Sequence, residues 1–344
     1  MDFKHERTFL LCATPSMLTH TSVLSDSFGR RFSYLRLSIT DVCNFRCDYC
    51  LPKGYQGRHR DFLSVDEIKR AAIAFSTLGL KKIRLTGGEP TLRHDLFDIA
   101  QALTAIPTIE KLVITTNGYT LPKIAQDLYD SGIRGLNVSI DSLDRQTFQD
   151  ITGHDKLNTI LQGIDKARAV GFEHIKINAV LLKNRNDDLT PFLSWIKTND
   201  VSVRMIELMQ NQTNLDYFKQ HHLPAQPYIE TLLQTGWQRV IKELDAGPAQ
   251  EFSHPDYKGK IGFIAPYSKD FCQSCNRLRL SARGKLYLCL FGNLGYNLRD
   301  YLQRDEELES LKNAIVGFLP FKHATHYLDE GRVGDNLNFS IIGG

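Results

Sequence analysis

Residues 34–50, Tyr34-Leu35-Arg36-Leu37-Ser38-Ile39-Thr40-Asp41-Val42-Cys43-Asn44-Phe45-Arg46-Cys47-Asp48-Tyr49-Cys50, place a strand pattern directly before a thiol cluster. The first six alternate as a half-buried strand does, with Tyr34, Arg36 and Ser38 on one side and Leu35, Leu37 and Ile39 on the other. Reading outward, Ser64-Val65-Asp66-Glu67 is a capping box that opens a helix, and Gly79 closes it after Leu78. Residues 82–85 read as a second strand, ending at Thr86-Gly87-Gly88. The cycle repeats through strands at 112–115, 135–140, 174–182 and 202–208. Helices lie near 121–129, up to Val170, and at 189–196.

Six βα-like units imply an α/β fold with a parallel sheet and right-handed crossovers. Six is short of the eight of a closed barrel, so the expectation is a partial, open TIM-like barrel whose lateral mouth is covered by a C-terminal extension. The expected division is an N-terminal extension over 1–27, the partial barrel over 28–244 and a C-terminal domain over 245–344. The Gly-, Pro- and Ser-containing stretch 245–269 reads as a linker, and Met17 is an alternative start. The ends of the first four strands all carry polar or metal-binding residues, which marks one mouth of the sheet as the site of chemistry.

The 344 residues carry 42 Lys+Arg against 39 Asp+Glu, a net charge of +3, which does not predict nucleic-acid binding. The absence of an apolar run of about 18 residues argues against a membrane span, and a cytoplasmic protein is expected. The cysteines fall into two trios, with only Cys12 apart, an arrangement that fits metal ligation in a reducing compartment better than disulfides.

The first trio, Cys43, Cys47 and Cys50, has C-x3-C-x2-C spacing; the second, Cys272, Cys275 and Cys289, has C-x2-C-x13-C. Three readings remain open for the first: a helix with its thiols on one buried face, a zinc site pairing Cys47 and Cys50 with Cys272 and Cys275, or a four-iron cluster. The zinc reading leaves Cys43 and Cys289 without a role. Three thiolates on a [4Fe-4S] cluster leave one iron open to a small molecule. For the second trio no fourth cysteine follows, and histidine ligation by His323 or His326 is not favoured. Arg277 and Arg279 flank Leu278 and share one strand face, as do Lys82 and Arg84. With Lys176 and Arg204 also on strands, an interior so basic needs anionic company, and guanidinium forks suit phosphate.

The first trio, with Tyr49 before its last cysteine and Gly87-Gly88-Glu89-Pro90 after the second strand, resembles the radical S-adenosylmethionine superfamily. With the second trio around NRLRL and the terminal Gly343-Gly344, the chain from about Gly29 onward is similar to the GTP 3′,8-cyclase family of molybdenum cofactor biosynthesis. That resemblance implies two [4Fe-4S] clusters, S-adenosyl-L-methionine as cofactor and GTP as substrate. The first trio holds the S-adenosylmethionine cluster and the second a cluster that binds guanine. Tyr49, Gly88, Ser139 and Met209 match positions lining S-adenosylmethionine. Arg36, Arg84, Thr115, Lys176, Arg277, Leu278 and Arg279 match positions lining GTP, with Lys82 and Arg204 assisting at the triphosphate. Gly343 and Gly344 enter the active site and support radical initiation with Arg36. A homodimer, an unidentified electron donor and a downstream partner, cyclic pyranopterin monophosphate synthase, are implied, with no nucleic acid and no membrane. Val42, Leu51 and Phe339 depart from the Arg, Met and Met usual there. A peptide substrate and a zinc-bound scaffold are the competing readings.

Overall fold

The computed structural model describes residues 24–57, 61–241, 247–292, 295–334 and 339–343. Cys12, Met17 and Gly344, and a boundary at 244/245, lie outside them.

The six expected strands form: β1 (Tyr34–Thr40), β2 (Lys82–Gly87), β3 (Lys111–Thr116), β4 (Gly135–Ser139), β5 (His174–Leu181) and β6 (Ser202–Glu207). Between them run α1 (Val65–Thr77), α2 (Leu96–Thr104), α3 (Leu121–Asp130), α4 (Arg145–Thr152), α5 (Leu157–Val170) and α6 (Thr190–Thr198). Both bonds of the expected capping box start α1: Glu67 N–H donates to Ser64 Oγ at 3.2 Å, and Ser64 N–H to Glu67 Oε2 at 2.7 Å. Such a cap contributes about 1 kcal/mol.

Six more strands follow: β7 (Gln238–Arg239), β8 (Gln250–Ser253), β9 (Lys260–Ile264), β10 (Arg277–Leu280), β11 (Lys285–Tyr287) and β12 (Tyr296–Asn297). The sheet order is β12-β11-β10-β1-β2-β3-β4-β5-β6-β9-β8-β7. β10 pairs parallel with β1, and β9 parallel with β6, so the C-terminal chain extends the parallel sheet at both edges. Two antiparallel pieces, β11-β12 and β8-β7, finish the ends, and the sheet is an open, partial TIM-like barrel.

Two expectations need correction. The stretch 245–269 is not a linker: β8 and β9 lie in it, Ile261 and Phe263 are core residues, and the glycine between them lets Gln250 and Glu251 approach its backbone. Nor does the whole of the expected 1–27 extension stand apart from the barrel. Leu24 is buried, its N–H donates to Leu78 O at 3.1 Å, and the buried Asp26–Arg30 pair sits just after it.

The period of two along the strands sorts the side chains. Leu35, Leu37, Ile83, Leu85, Leu278 and Leu280 face the helices and are wholly or almost wholly buried in the core. The alternate positions, Arg36, Lys82, Arg84, Lys176, Arg277 and Arg279, face the barrel interior and line a cavity. A barrel of this kind is ordinarily filled by apolar side chains. Here these inward positions are cationic, with Glu173, Asp200 and Glu251 on the same cavity wall.

Candidate active site

Two glycines set the first thiol loop against the sheet. Gly87 has φ +136°, and a Cβ on it would fall 2.0 Å from Thr40 O. A Cβ on Gly88 would fall 2.2 Å from Val42 O. In their absence, Gly88 N–H donates to Thr40 O at 2.9 Å and Glu89 N–H to Val42 O at 2.7 Å. The GGEP turn therefore clasps the backbone that leads into Cys43. Val42 acts here through its carbonyl, so its side chain is not what the clasp uses. Glu89 is buried and ties the turn to β3, accepting from Thr116 Oγ1 at 2.7 Å and Asn117 N–H at 2.6 Å.

The segment 43–50 is loop and turn, which removes the helical reading of the trio. All six described cysteines are free thiols. Burial pushes the Cys43 thiol up to about 11 and Cys50 up to about 12. It raises Cys47 well above the ordinary thiol range, with Asp141 and the two neighbouring thiols adding to the effect. Three thiols that obstruct one another's ionisation are suited to a shared polycation, which repays the charge they cannot hold alone. No three His, Cys, Asp or Glu side chains among the described residues converge as ligands of one ion must.

Around this loop, Tyr49 Oη donates to Asp141 Oδ2 at 2.9 Å, and Val180 N–H to Asp141 Oδ1 at 2.8 Å. Burial pushes the Asp141 carboxyl up to about 6. Ser139 stands half-buried at the end of β4, opposite Asn178.

The second trio lies on the wall of a cavity of ≈ 470 Å³, within the usual range for small-molecule sites. Cys272, Cys275 and Cys289 share it with Met209 and the inward cations. Burial opposes the Cys275 thiolate, but Arg277 and Lys322 outweigh it and bring that thiol down to about 6. A thiol already ionised at neutral pH is a ready metal ligand. Arg277 Nη2 lies 3.9 Å from Cys275 Sγ. Arg30 donates to the carbonyls of Cys272, Ala324 and His323 at 3.3, 2.9 and 2.5 Å, fixing the first turn of the trio. His326 accepts from Leu328 N–H at Nδ1 and meets Pro266 O through Nε2 at 2.7 Å. Both ring nitrogens are thus engaged by backbone, so His326 is not placed as a fourth ligand.

Along the strands the cations form rows. Arg279, Arg36 and Arg84 are register partners, as are Arg277, Tyr34 and Lys82. Arg84 Nη1 donates to Thr115 Oγ1 at 3.0 Å. Among the described residues no carboxylate forms a salt bridge with Lys82, Arg84, Lys176, Arg277 or Arg279, whereas Arg204 pairs with Glu251 at 2.7 Å. Leu278 departs from its expected neighbours. Its side chain is wholly buried in the core, because alternate strand residues face opposite ways, so only its peptide can approach a ligand.

The carboxyl-terminal tail connects the two thiol regions. The Ser340 peptide N–H faces the Cys50 sulfur and favours its thiolate. Gly343 O accepts from Arg36 Nε at 2.7 Å and Arg279 Nη1 at 2.8 Å. Gly343 has φ +66°, and a Cβ there would fall 2.0 Å from Thr86 Cγ2. Only glycine fits this passage.

The sequence reading did not single out Tyr34, Asp141 or Glu251, and took Glu89 only as part of the Gly87-Gly88-Glu89-Pro90 motif. Tyr34 carried a signal, since it shares the strand face of Arg36; the other three gain their roles only from tertiary contacts.

A parallel open barrel with a C-x3-C-x2-C loop after its first strand and a GGEP turn after its second defines a radical S-adenosylmethionine protein. Residues 37–196 match the Radical SAM superfamily and residues 201–328 match Molybdenum Cofactor Synthesis C. The GTP 3′,8-cyclase of Tolumonas auensis is 52% identical over 325 residues, covering 94% of this chain and 96% of the relative. The GTP 3′,8-cyclase of Stenotrophomonas maltophilia is 52% identical over 326 residues, covering 94% and 100%. The chain belongs to the GTP 3′,8-cyclase family. In fold it is also similar to Streptococcus suis SuiB bound to the precursor peptide SuiA. That match has a TM-score of 0.57 and 15% identity over 84% of this chain and 66% of the other.

Proposed function

We propose that the cavity binds GTP with its triphosphate on the cationic strand rows and its guanine beside the second trio, next to a first trio that serves S-adenosylmethionine. The enzyme is a radical S-adenosylmethionine lyase that converts GTP to (8S)-3′,8-cyclo-7,8-dihydroguanosine 5′-triphosphate, the first step of molybdenum cofactor biosynthesis. The observation that carries the site assignment is the lining of one cavity by Cys272, Cys275 and Cys289 together with Arg84, Lys176 and Arg277.

Cys43, Cys47 and Cys50 would hold one [4Fe-4S] cluster, and Cys272, Cys275 and Cys289 the other. With S-adenosylmethionine bound at the first trio, that cluster would supply the radical chemistry for the conversion of GTP. The chain's own residues position the reactants. Gly88 and Tyr49 frame the S-adenosylmethionine side, with Ser139 and Met209 completing it. Lys82, Arg84, Lys176 and Arg204 take phosphate oxygens in charge-assisted bonds, each contributing about 1.5–3 kcal/mol. Thr115 holds Arg84. Arg36 and Arg279 hold the Gly343 carbonyl where the tail passes between the two regions, which supports a part for the terminal glycines in radical initiation.

We read the chain as an operational pair, the partial barrel over 28–244 and the second-cluster region over 245–344, preceded by the 1–27 extension. The reading includes a homodimer, a separate electron donor and cyclic pyranopterin monophosphate synthase as consumer of the product, in the cytoplasm, whose reducing conditions suit the free thiols. No described helix is long and apolar enough to cross a membrane. The test is anaerobic incubation with S-adenosylmethionine, reductant and GTP. Equal yields of 5′-deoxyadenosine and the cyclised nucleotide are expected. Cleavage of S-adenosylmethionine that leaves GTP untouched overturns the assignment.

A further inference from the structure

Tyr34 stands at the crossing of the cationic rows. It lies on β1 between Arg277 of β10 and Lys82 of β2 and is almost wholly buried while its edge lines the cavity. Its phenol oxygen accepts from Arg84 Nε, and the Arg36 guanidinium lies close enough to act on it electrostatically. The Lys82 ammonium sits over its ring at 4.7 Å, within cation–π range. The charged groups that face it are therefore Arg36 from its own strand, Lys82 and Arg84 from β2, and Arg277 from β10.

Cations packed this closely repel, and in water-poor surroundings each would swing toward whatever acceptor it could find. The phenol oxygen fixes one arm of Arg84 and Thr115 fixes another, while the Gly343 carbonyl holds Arg36. The orientation of Arg84 is thus set before a ligand arrives, which lowers the ordering cost of binding.

We propose that Tyr34 is a positioning residue for the triphosphate: its oxygen holds Arg84, and its ring seats Lys82, so that phosphate oxygens meet a preset row of cations. The proposal rests on the triphosphate placement given above. Tyr34 also confers a pH response. Burial opposes its ionisation, but Arg84, Arg36 and Lys82 outweigh it and bring the phenol down to about 7. Above that pH the phenolate adds negative charge next to bound phosphates. A bound triphosphate favours the neutral phenol, so the complex holds the proton more tightly and affinity declines as pH rises through about 7.

The test is Tyr34→Phe in the enzyme carrying both clusters, which keeps the ring and removes the oxygen. GTP and GMP affinities are measured by calorimetry below and above pH 7, with iron content as the check on folding. Loss of a bond to a charged group predicts roughly tenfold weaker GTP binding. GMP, which lacks the β- and γ-phosphates, is affected less, so the GTP/GMP ratio falls. The γ-phosphate itself titrates in the same range but does so against both proteins, so their difference isolates Tyr34. That difference narrows on the alkaline side. A GTP/GMP ratio and pH profile unchanged in Tyr34→Phe overturn the proposal. Should that variant lose iron, a ring-fluorinated tyrosine at position 34 keeps the shape and makes the phenol more acidic. The alkaline decline then moves to lower pH, and an unmoved decline overturns the role. Arg84→Ala and Lys176→Ala separate the two layers. If both leave GTP affinity intact, the triphosphate placement fails; if both weaken it while Tyr34→Phe does not, only the role of Tyr34 fails.

Discussion

The Arg36 guanidinium donates through Nε to the carbonyl oxygen of Gly343 at 2.7 Å, joining the first strand of the barrel to the penultimate residue of the chain. Arg279, from the far side of β1, grips the same oxygen at 2.8 Å. The tail is thereby held between the cation rows and the Cys50 loop.

Gly343→Ala tests that passage. Its Cβ would meet Thr86 at 2.0 Å in a backbone region that alanine disfavours. Turnover should fall at least roughly tenfold while iron content stays unchanged, given a strain of about 1–3 kcal/mol. Trimming Gly343-Gly344 should abolish turnover, again with both clusters in place. Normal 5′-deoxyadenosine production by the truncated enzyme contradicts the assignment.

Arg277 and Arg279 should separate kinetically, although both stand on β10. Arg279 is occupied by the tail carbonyls of Ile342 and Gly343. Arg277 faces the cavity beside Cys275. Arg279→Ala is expected to lower kcat more than it raises KM for GTP, and Arg277→Ala to weaken GTP binding by roughly one to two orders of magnitude. Steady-state kinetics decide, and the reverse pattern refutes the division.

Gly88→Ala places a methyl group 2.2 Å from the carbonyl of Val42 and should push the first thiol loop off the sheet. Iron analysis of anaerobically purified protein should then fall from about eight per chain to about four, the second cluster persisting. Full iron occupancy would show that the clasp is not needed.

Lys176 gives a pH dependence of known sign. Burial and Arg204 push its ammonium down to about 8, with Glu251 opposing. Bound phosphate favours the ammonium, so the contribution of Lys176 to affinity is present below about 8 and lost above it, in addition to the decline set by Tyr34 near 7. Lys176→Met should bind GTP weakly at every pH and lose that alkaline limb. A limb that survives the substitution assigns it to another group.

Much of this was legible along the chain because it is local. The alternation of Tyr34 to Ile39 and the capping box at Ser64 each define an element within a few residues, and both appear as read. The pairing of Arg277 with Arg279, and of Lys82 with Arg84, on single strand faces follows from the same period. What stayed hidden depends on distant partners. β9 lies in a Gly- and Pro-rich stretch, and its parallel pairing with β6 is a tertiary event. The inward turn of Leu278 into the core, by contrast, was legible from strand parity, since Arg277 and Arg279 share the opposite face. The sequence shows the two glycines of GGEP as a motif, but not that they let the Thr40–Val42 backbone approach.

The most direct measurement uses GTP carrying deuterium at C3′, incubated anaerobically with S-adenosylmethionine and reductant. If the ribose is held toward the first trio with the guanine beside the second, one deuterium appears in 5′-deoxyadenosine and the nucleotide is recovered as the cyclised triphosphate. Unlabelled 5′-deoxyadenosine, or GTP recovered intact after S-adenosylmethionine is consumed, would contradict the account.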